Sequence, residues 1–107
     1  EGRIIVGHNI MFDLGFLKEQ GALPARLDVL DTVALSRLVL SNTSHSLDSV
    51  ARALGLAVDT EQRHTALYDA SLTRDVFFAL VARLDEARVR GCIRRLQWSM
   101  DTAGRIL

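Results

Sequence analysis

An apolar run of β-branched residues, Ile4-Ile5-Val6, stops at Gly7 and gives way almost at once to a stretch of helical character. Too short for a helix and without polar alternation, such a run reads as a strand buried on both faces, the kind found inside parallel or mixed sheets. Asn9 stands where it can cap a helix from about Met11 to Gln20, with Phe12, Gly15, Phe16 and Glu19 at helical spacing and Gly21 as its stop. Strand, tight turn and helix in immediate succession is the grammar of an α/β domain. The expected frame is an interior strand near residues 3–7 with helices packed around it.

Beyond Gly21 the chain reads mostly as helix. Pro24, the only proline, leads to Val29-Leu30-Asp31-Thr32, a short strand or turn from which Asp31 or Thr32 can cap a helix from Val33 to about Leu40. After the turn cluster Ser41-Asn42-Thr43-Ser44, Ser46 caps a helix over Leu47–Leu54 whose buried stripe is Leu47, Val50, Ala51 and Leu54, closed by Gly55. Asp59–Arg63 is a polar loop. From about Thr65, Leu67, Ala70, Thr73, Phe77, Leu80 and Leu84 step by three or four and predict one face of a long helix. A second series, Val89, Ile93, Leu96, Met100, Ala103 and Leu107, predicts a helical extension over residues 85–107, beyond a main unit of residues 1–84. It would dock on its own domain, on a neighbouring domain or on a second protomer.

A chain of 107 residues with 49% apolar content can bury one core of its own. Its longest apolar run, Val76 to Ala82, is far short of the roughly 20 residues that cross a bilayer. The first residues lack the charged start and long apolar middle of a signal peptide, and the single cysteine, Cys92, has no partner for a disulfide or a zinc site. These features predict a cytoplasmic setting, with Cys92 as a small apolar filler. Net charge is zero, but residues 1–82 carry −3 and residues 83–107 carry +3. The strongly basic body that signals phosphate-backbone binding by counterion release is missing. An enzyme that holds phosphate through divalent cations would instead need a local group of carboxylates.

Three residues are candidates for such chemistry. Asp13 lies beyond the carboxyl end of the predicted strand, and open α/β sheets put their ligand sites at that edge; an acid in a first helical turn is otherwise explained by the helix dipole alone. Asp69 lies on the long helix among Ala66, Leu67, Ala70 and Thr73, small and apolar positions that suggest close packing, where a carboxylate needs a cation or hydrogen-bond donors. His64 precedes that helix, free of helical hydrogen-bonding duty, and its near-neutral pKa suits a general base.

These residues sit within two stretches that resemble a known family. Val6-Gly7-His8-Asn9-Ile10-Met11-Phe12-Asp13-Leu14-Gly15-Phe16-Leu17 looks like the second motif, and His64-Thr65-Ala66-Leu67-Tyr68-Asp69-Ala70 like the third, of the DEDDh-type (DnaQ-like) 3′-to-5′ exonucleases, the family of bacterial polymerase proofreading subunits. Leu30-Asp31-Thr32, Ser44-His45-Ser46-Leu47-Asp48 and Leu54-Gly55-Leu56 resemble its middle segment, so the resemblance covers residues 3 to 84. It implies a ribonuclease H-like α/β fold and hydrolysis of terminal phosphodiesters of nucleic acid, DNA before RNA, with two divalent ions, Mg²⁺ or Mn²⁺. Asp69 would ligate the metal that activates water, Asp13 would hold the second metal, and His64 would accept the proton. The implied partners are nucleic acid with a free 3′ end and a polymerase or fused domain. Asn9 and Phe12 border the substrate in the motif, although a helix cap and core packing account for them equally. His8 is expected to be a buried, hydrogen-bonded histidine and His45 a turn residue contacting backbone.

The family's first motif, Asp-x-Glu on the opening strand, has no counterpart: Glu1 is the only acid before Ile4 and has no aspartate two positions earlier. The chain therefore resembles the carboxyl-terminal part of the domain, an incomplete fold lacking the amino-terminal antiparallel strands and exposing a sheet edge. With two of four carboxylates, metal affinity falls steeply, and the chain by itself is expected to be inactive although its parent is a nuclease. The alternative is a noncatalytic exonuclease-like domain that binds a protein or nucleic acid, with residues 85–107 as a contact surface.

Overall fold

The computed structural model describes residues 3–21, 23–41 and 43–99. They form a small α/β unit in the order β1 (Ile4–Gly7), α1 (Ile10–Glu19), β2 (Arg26–Asp31), α2 (Thr32–Val39), α3 (Leu47–Ala53), α4 (Ala66–Val81), α5 (Glu86–Gly91) and β3 (Ile93–Gln97). The sheet is mixed, with order β1-β2-β3. β1 pairs parallel with β2, Ile4 opposite Asp28 and Gly7 opposite Asp31, while β3 runs antiparallel on the other side of β2 with Ile93 opposite Leu30.

The central strand decides the layering, because successive side chains of a strand point to opposite faces. Val29 packs with Ile10 and Leu14 of α1 and with Leu23, so α1 covers one face. Leu30 joins Leu35, Leu47, Val50, Ala51, Leu54, Leu72, Val76 and Leu80, so α2, α3 and α4 build the larger core on the other. Local chemistry sets the helix ends. The Asp31 carboxylate accepts the N–H of Val33 and starts α2, and the Ser46 hydroxyl accepts the N–H of Ser49 and starts α3. Gly55 comes after α3 at φ +81°, a left-handed conformation that glycine adopts without a Cβ penalty. Cys92 is half-buried against the larger core.

Four expectations are corrected. β1 is an edge strand among the described residues, not an interior one: it pairs only with β2, and Ile4 and Ile5 are 43% and 45% exposed. The core face of α1 is Ile10 and Leu14, leaving Phe12 and Phe16 exposed at 76% and 67%; Phe12 is not a packing residue here. On α4 the buried stripe is Leu72, Val76 and Leu80, while Leu67 is 81% exposed and the helix ends at Val81. This helix carries apolar residues around most of its circumference, and contact with α2 and α3 selects the i, i+4, i+8 row that faces them.

The fourth correction concerns the heptad-like series. Residues 93–97 are a strand, so Val89 belongs to the short α5 and Ile93 and Leu96 to β3; Met100, Ala103 and Leu107 lie outside the described residues. The open side of β2 presents unpaired backbone groups, and pairing them with β3 outweighs a helical spacing already weakened by Gly91.

Candidate active site

The parallel pair ends at Gly7 and Asp31, and the chain turns sharply beyond both. A Cβ at Gly7 would come within 3.1 Å of the Ile10 side chain, tighter than ordinary van der Waals contact, so Ile10 would have to give way where β1 meets α1. Asn9 adopts the left-handed conformation (φ 62°, ψ 51°), and its side chain makes no capping hydrogen bond. The cap comes instead from β2: the Asp31 carboxylate accepts the N–H of Asn9 at 2.8 Å and of Ile10 at 3.0 Å. The expected capping role of Asn9 is thus transferred to Asp31, because a residue in the left-handed region cannot aim its side chain at the helix as an extended N-cap does. Asp13 then lies exposed in the first turn of α1.

His8 behaves as expected of a hydrogen-bonded histidine. Its Nδ1 is 2.6 Å from the Thr32 hydroxyl and its Nε2 is 2.6 Å from the His45 carbonyl oxygen. A carbonyl only accepts, so Nε2 carries the proton and donates. Burial pulls the His8 pKa below its ordinary value against the raising effects of the His45 carbonyl and Asp31. The His45 ring bonds the Ser36 hydroxyl through Nδ1 at 2.8 Å, a side-chain contact in place of the expected backbone one. Thr32 and Ser36 are fully buried, and this network ties the end of β1 to α2 and to the loop before α3.

Across the cleft, Asp59–His64 folds onto the start of α4. The Asp59 carboxylate accepts the Glu61 N–H and the Gln62 amide, and the Asp59 N–H donates to the Tyr68 hydroxyl. His64 has φ 77°, uncommon for a residue with a Cβ. Its N–H donates to both oxygens of Asp69, at 3.0 and 3.2 Å. Asp69 also takes an ion pair from Arg63 Nη1 at 2.5 Å, while Arg63 Nε binds Asp48 of α3. Burial acts to raise the Asp69 pKa, but the Arg63 guanidinium and the His64 N–H together outweigh it and hold the carboxyl below its ordinary value. Asp69 raises the pKa of Arg63 in return, with Asp48.

Asp13, His64 and Asp69 line one open cleft of about 1040 Å³, together with Gly7, His8, Asn9, His45 and Arg63. The three candidates thus border this cleft from α1, the loop before α4, and α4, without closing on one another. Among the described residues, no three His, Cys, Asp or Glu side chains come together as a set that could hold a metal ion. Arg63 was not singled out by the sequence. An arginine beside a histidine and six residues before an aspartate matches no helical pair spacing, so only the fold of the loop reveals its role.

Comparison with known proteins bears on the whole stretch. The sequence model of the family described as Exonuclease matches residues 1–77. The chain is 41% identical over 88 residues to a DNA polymerase III subunit epsilon-like protein of Rhodobacter capsulatus, covering 78% of this chain and 12% of that protein. It is 41% identical over 85 residues to a DNA polymerase III PolC-type protein of Thermotoga petrophila, covering 76% and 6%, and 34% identical over 91 residues to one of Staphylococcus aureus, covering 80% and 6%. The chain thus spans about an eighth or less of the length of these relatives. No solved structure matches it.

Proposed function

The chain belongs to the exonuclease family, and from that premise we propose that it is part of a 3′-to-5′ exonuclease module, DNA being the favoured substrate, with a ribonuclease H-like fold in the complete domain. The observation that carries this reading is the convergence of Asp13, His64 and Asp69 on one cleft at the carboxyl edge of the parallel strands. Residues 1–84 are the proposed exonuclease part, and β3 from the 85–107 stretch adds a strand to its sheet. The relatives are named as DNA polymerase III proteins, which supports a polymerase, or a domain fused to one, as the partner and a cytoplasmic setting.

The divalent ions implied by the resemblance, Mg²⁺ or Mn²⁺, would find two hard oxygen donors here, Asp13 and Asp69. The described residues offer no third acid to complete a set. By themselves these groups do not fit a metal site, and the chemistry open to the chain is that of its own side chains. His64, exposed beside the cleft, would accept the proton of the attacking water at its imidazole. Asp69 would face the reacting end from the start of α4 and Asp13 from α1, but as carboxylates they repel a phosphate, so neither holds it without a cation. Binding of the strand falls to the cleft walls.

The test compares the chain alone with the same chain joined to upstream residues that supply an Asp-x-Glu strand. Release of mononucleotides from a 5′-labelled single strand should be Mg²⁺-dependent in the longer protein and absent from the 107-residue chain. His64→Ala and Asp69→Ala should each lower it by about 100-fold or more. Full activity in either variant sinks the assignment. A second reading, a noncatalytic module that binds nucleic acid or protein, is favoured by one observation: Arg63 already engages Asp69. Inactivity of the longer protein, with intact binding of single strands, would select it.

A further inference from the structure

We propose that Arg63 is the positioning residue of this site, tying α3 to α4 so that the Asp69 carboxylate is held against the His64 backbone. The inference rests on the reading of Asp69 and His64 as site residues. Its ground is a chain of contacts. Arg63 Nε binds the Asp48 carboxylate, Arg63 Nη1 binds Asp69 Oδ1, and both Asp69 oxygens accept the His64 N–H. Asp48 stands in the first turn of α3, a helix anchored in the core by Leu47, Val50 and Ala51. The position of that core is thereby transmitted through one guanidinium to the carboxylate at the start of α4.

Burial distinguishes this arginine from the others that make ion pairs. Its side chain is 13% exposed, whereas those of Arg74, Arg88, Arg90 and Arg95 are 59–71% exposed. Exposed pairs contribute little because water competes for both partners; here the guanidinium is largely covered while the Asp48 and Asp69 side chains are 32% and 30% exposed, so the bridge is partly shielded and its loss leaves two carboxylates without a close cation. The planar fork of a guanidinium also suits the bridge, presenting Nε to one carboxylate and Nη1 to another in fixed relative geometry, which an ammonium cannot reproduce.

Besides the Asp59 N–H that Tyr68 accepts, the Arg63 bridge is the side-chain tie that reaches the first turn of α4 at Asp69. Thr65 occupies the N-cap without a side-chain capping bond, its hydroxyl donating instead to the Gln62 carbonyl at 2.7 Å. His64 sits in the left-handed region, a conformation that persists only where the surroundings over-determine it. The Asp69 carboxylate supplies that determination, and Arg63 prevents it from rotating away. Loss of Arg63 frees the carboxylate, releases the His64 N–H and lets the imidazole leave the cleft.

The experiment monitors the backbone amide of His64 by NMR in the 107-residue chain and in Arg63→Gln, Arg63→Lys and Asp48→Asn. In Arg63→Gln the His64 amide should move upfield and exchange with solvent at least about tenfold faster, while the core amides of Val50 and Val76 keep their protection. Arg63→Lys should retain part of the native behaviour, and Asp48→Asn, which keeps the guanidinium and an accepting amide oxygen but removes the charge of one arm, should show the effect in weaker form. If Arg63→Gln lowers core protection as well, Asp48→Asn decides. An unchanged His64 amide in Arg63→Gln, or in Asp48→Asn under that condition, overturns the proposal. In the longer, active protein, Arg63→Gln should lower kcat about tenfold or more with KM unchanged, partly rescued by lysine; a change confined to KM also overturns it. The amide measurement needs no nucleic acid, so its failure leaves the hydrolytic reading standing, and loss of the hydrolytic reading leaves the amide result interpretable.

Discussion

The carboxylate of Asp31 accepts the backbone N–H of Asn9 at 2.8 Å, joining the end of β2 to the start of α1. The same carboxylate accepts the N–H groups of Ile10 and Val33. One side chain therefore serves the amino termini of two helices that lie on opposite faces of the sheet, and it fixes the turn from which α1 carries Asp13 into the cleft. Helix amino termini carry unpaired N–H groups and partial positive charge, so an acid held between two of them is well matched.

Asp31→Ala should destabilise the chain by about 2 kcal/mol, since a lost cap costs about 1 kcal/mol and two helices lose theirs. Asp31→Asn should recover part of the loss because its amide oxygen still accepts. Urea unfolding measures both; a loss below about 0.5 kcal/mol for alanine would show that water replaces the carboxylate.

Leu80→Ala and Leu67→Ala test the orientation of α4. Leu80 is fully buried, and its truncation should cost about 2–5 kcal/mol through lost transfer energy and the cavity left behind. Leu67 is 81% exposed, so its truncation should stay within about 0.5 kcal/mol. Equal effects in denaturant titrations would mean that the helix is turned differently.

Stability should depend on pH through His8. Burial holds its folded-state pKa below the ordinary 6.5, so between those two values the unfolded chain binds more protons than the folded one. The contribution is complete above about pH 6.5 and declines as pH falls below it. His8→Gln should remove this limb of a melting-temperature profile. A second decline, from Asp69 with Asp28 and Asp59, whose folded pKa values lie below the ordinary 3.8, should begin below about pH 4 and survive in the variant. A profile unchanged by His8→Gln above about pH 4.5 contradicts this account.

The free side of β1 should promote self-association. Ile4 and Ile5 are both exposed on a strand with one neighbour among the described residues, and such edges pair with other chains unless charged. Ile5→Lys should lower the concentration-dependent mass seen by light scattering, and an unchanged mass would show that β1 is not the contact.

Much of the local structure is legible in the sequence. Ser46 capping α3, Asp31 starting α2 and Gly55 at positive φ each depend on a few consecutive residues whose chemistry acts over one turn. The stripe Leu47, Val50, Ala51 and Leu54 is equally clear, because α3 has one apolar face and no choice of which to bury. The three candidate site residues are named by their motifs, and all three line one cleft.

The order of residues along the chain was enough to establish the chemical groups present, the helix boundaries set by caps and glycines, and membership of the exonuclease family. The choices between equivalent local options were made by the folded arrangement. α1 and α4 each carry more than one apolar row, and the row that packs is selected by the facing elements. Residues 93–97 become a strand because β2 has an open side, a fact about a segment more than sixty residues away. Arg63 acquires its role only when α3 and α4 bring Asp48 and Asp69 within reach of one guanidinium. Caps and turns depend on neighbours in the chain, whereas packing and ion pairs depend on neighbours in space, and those exist only once the chain has folded.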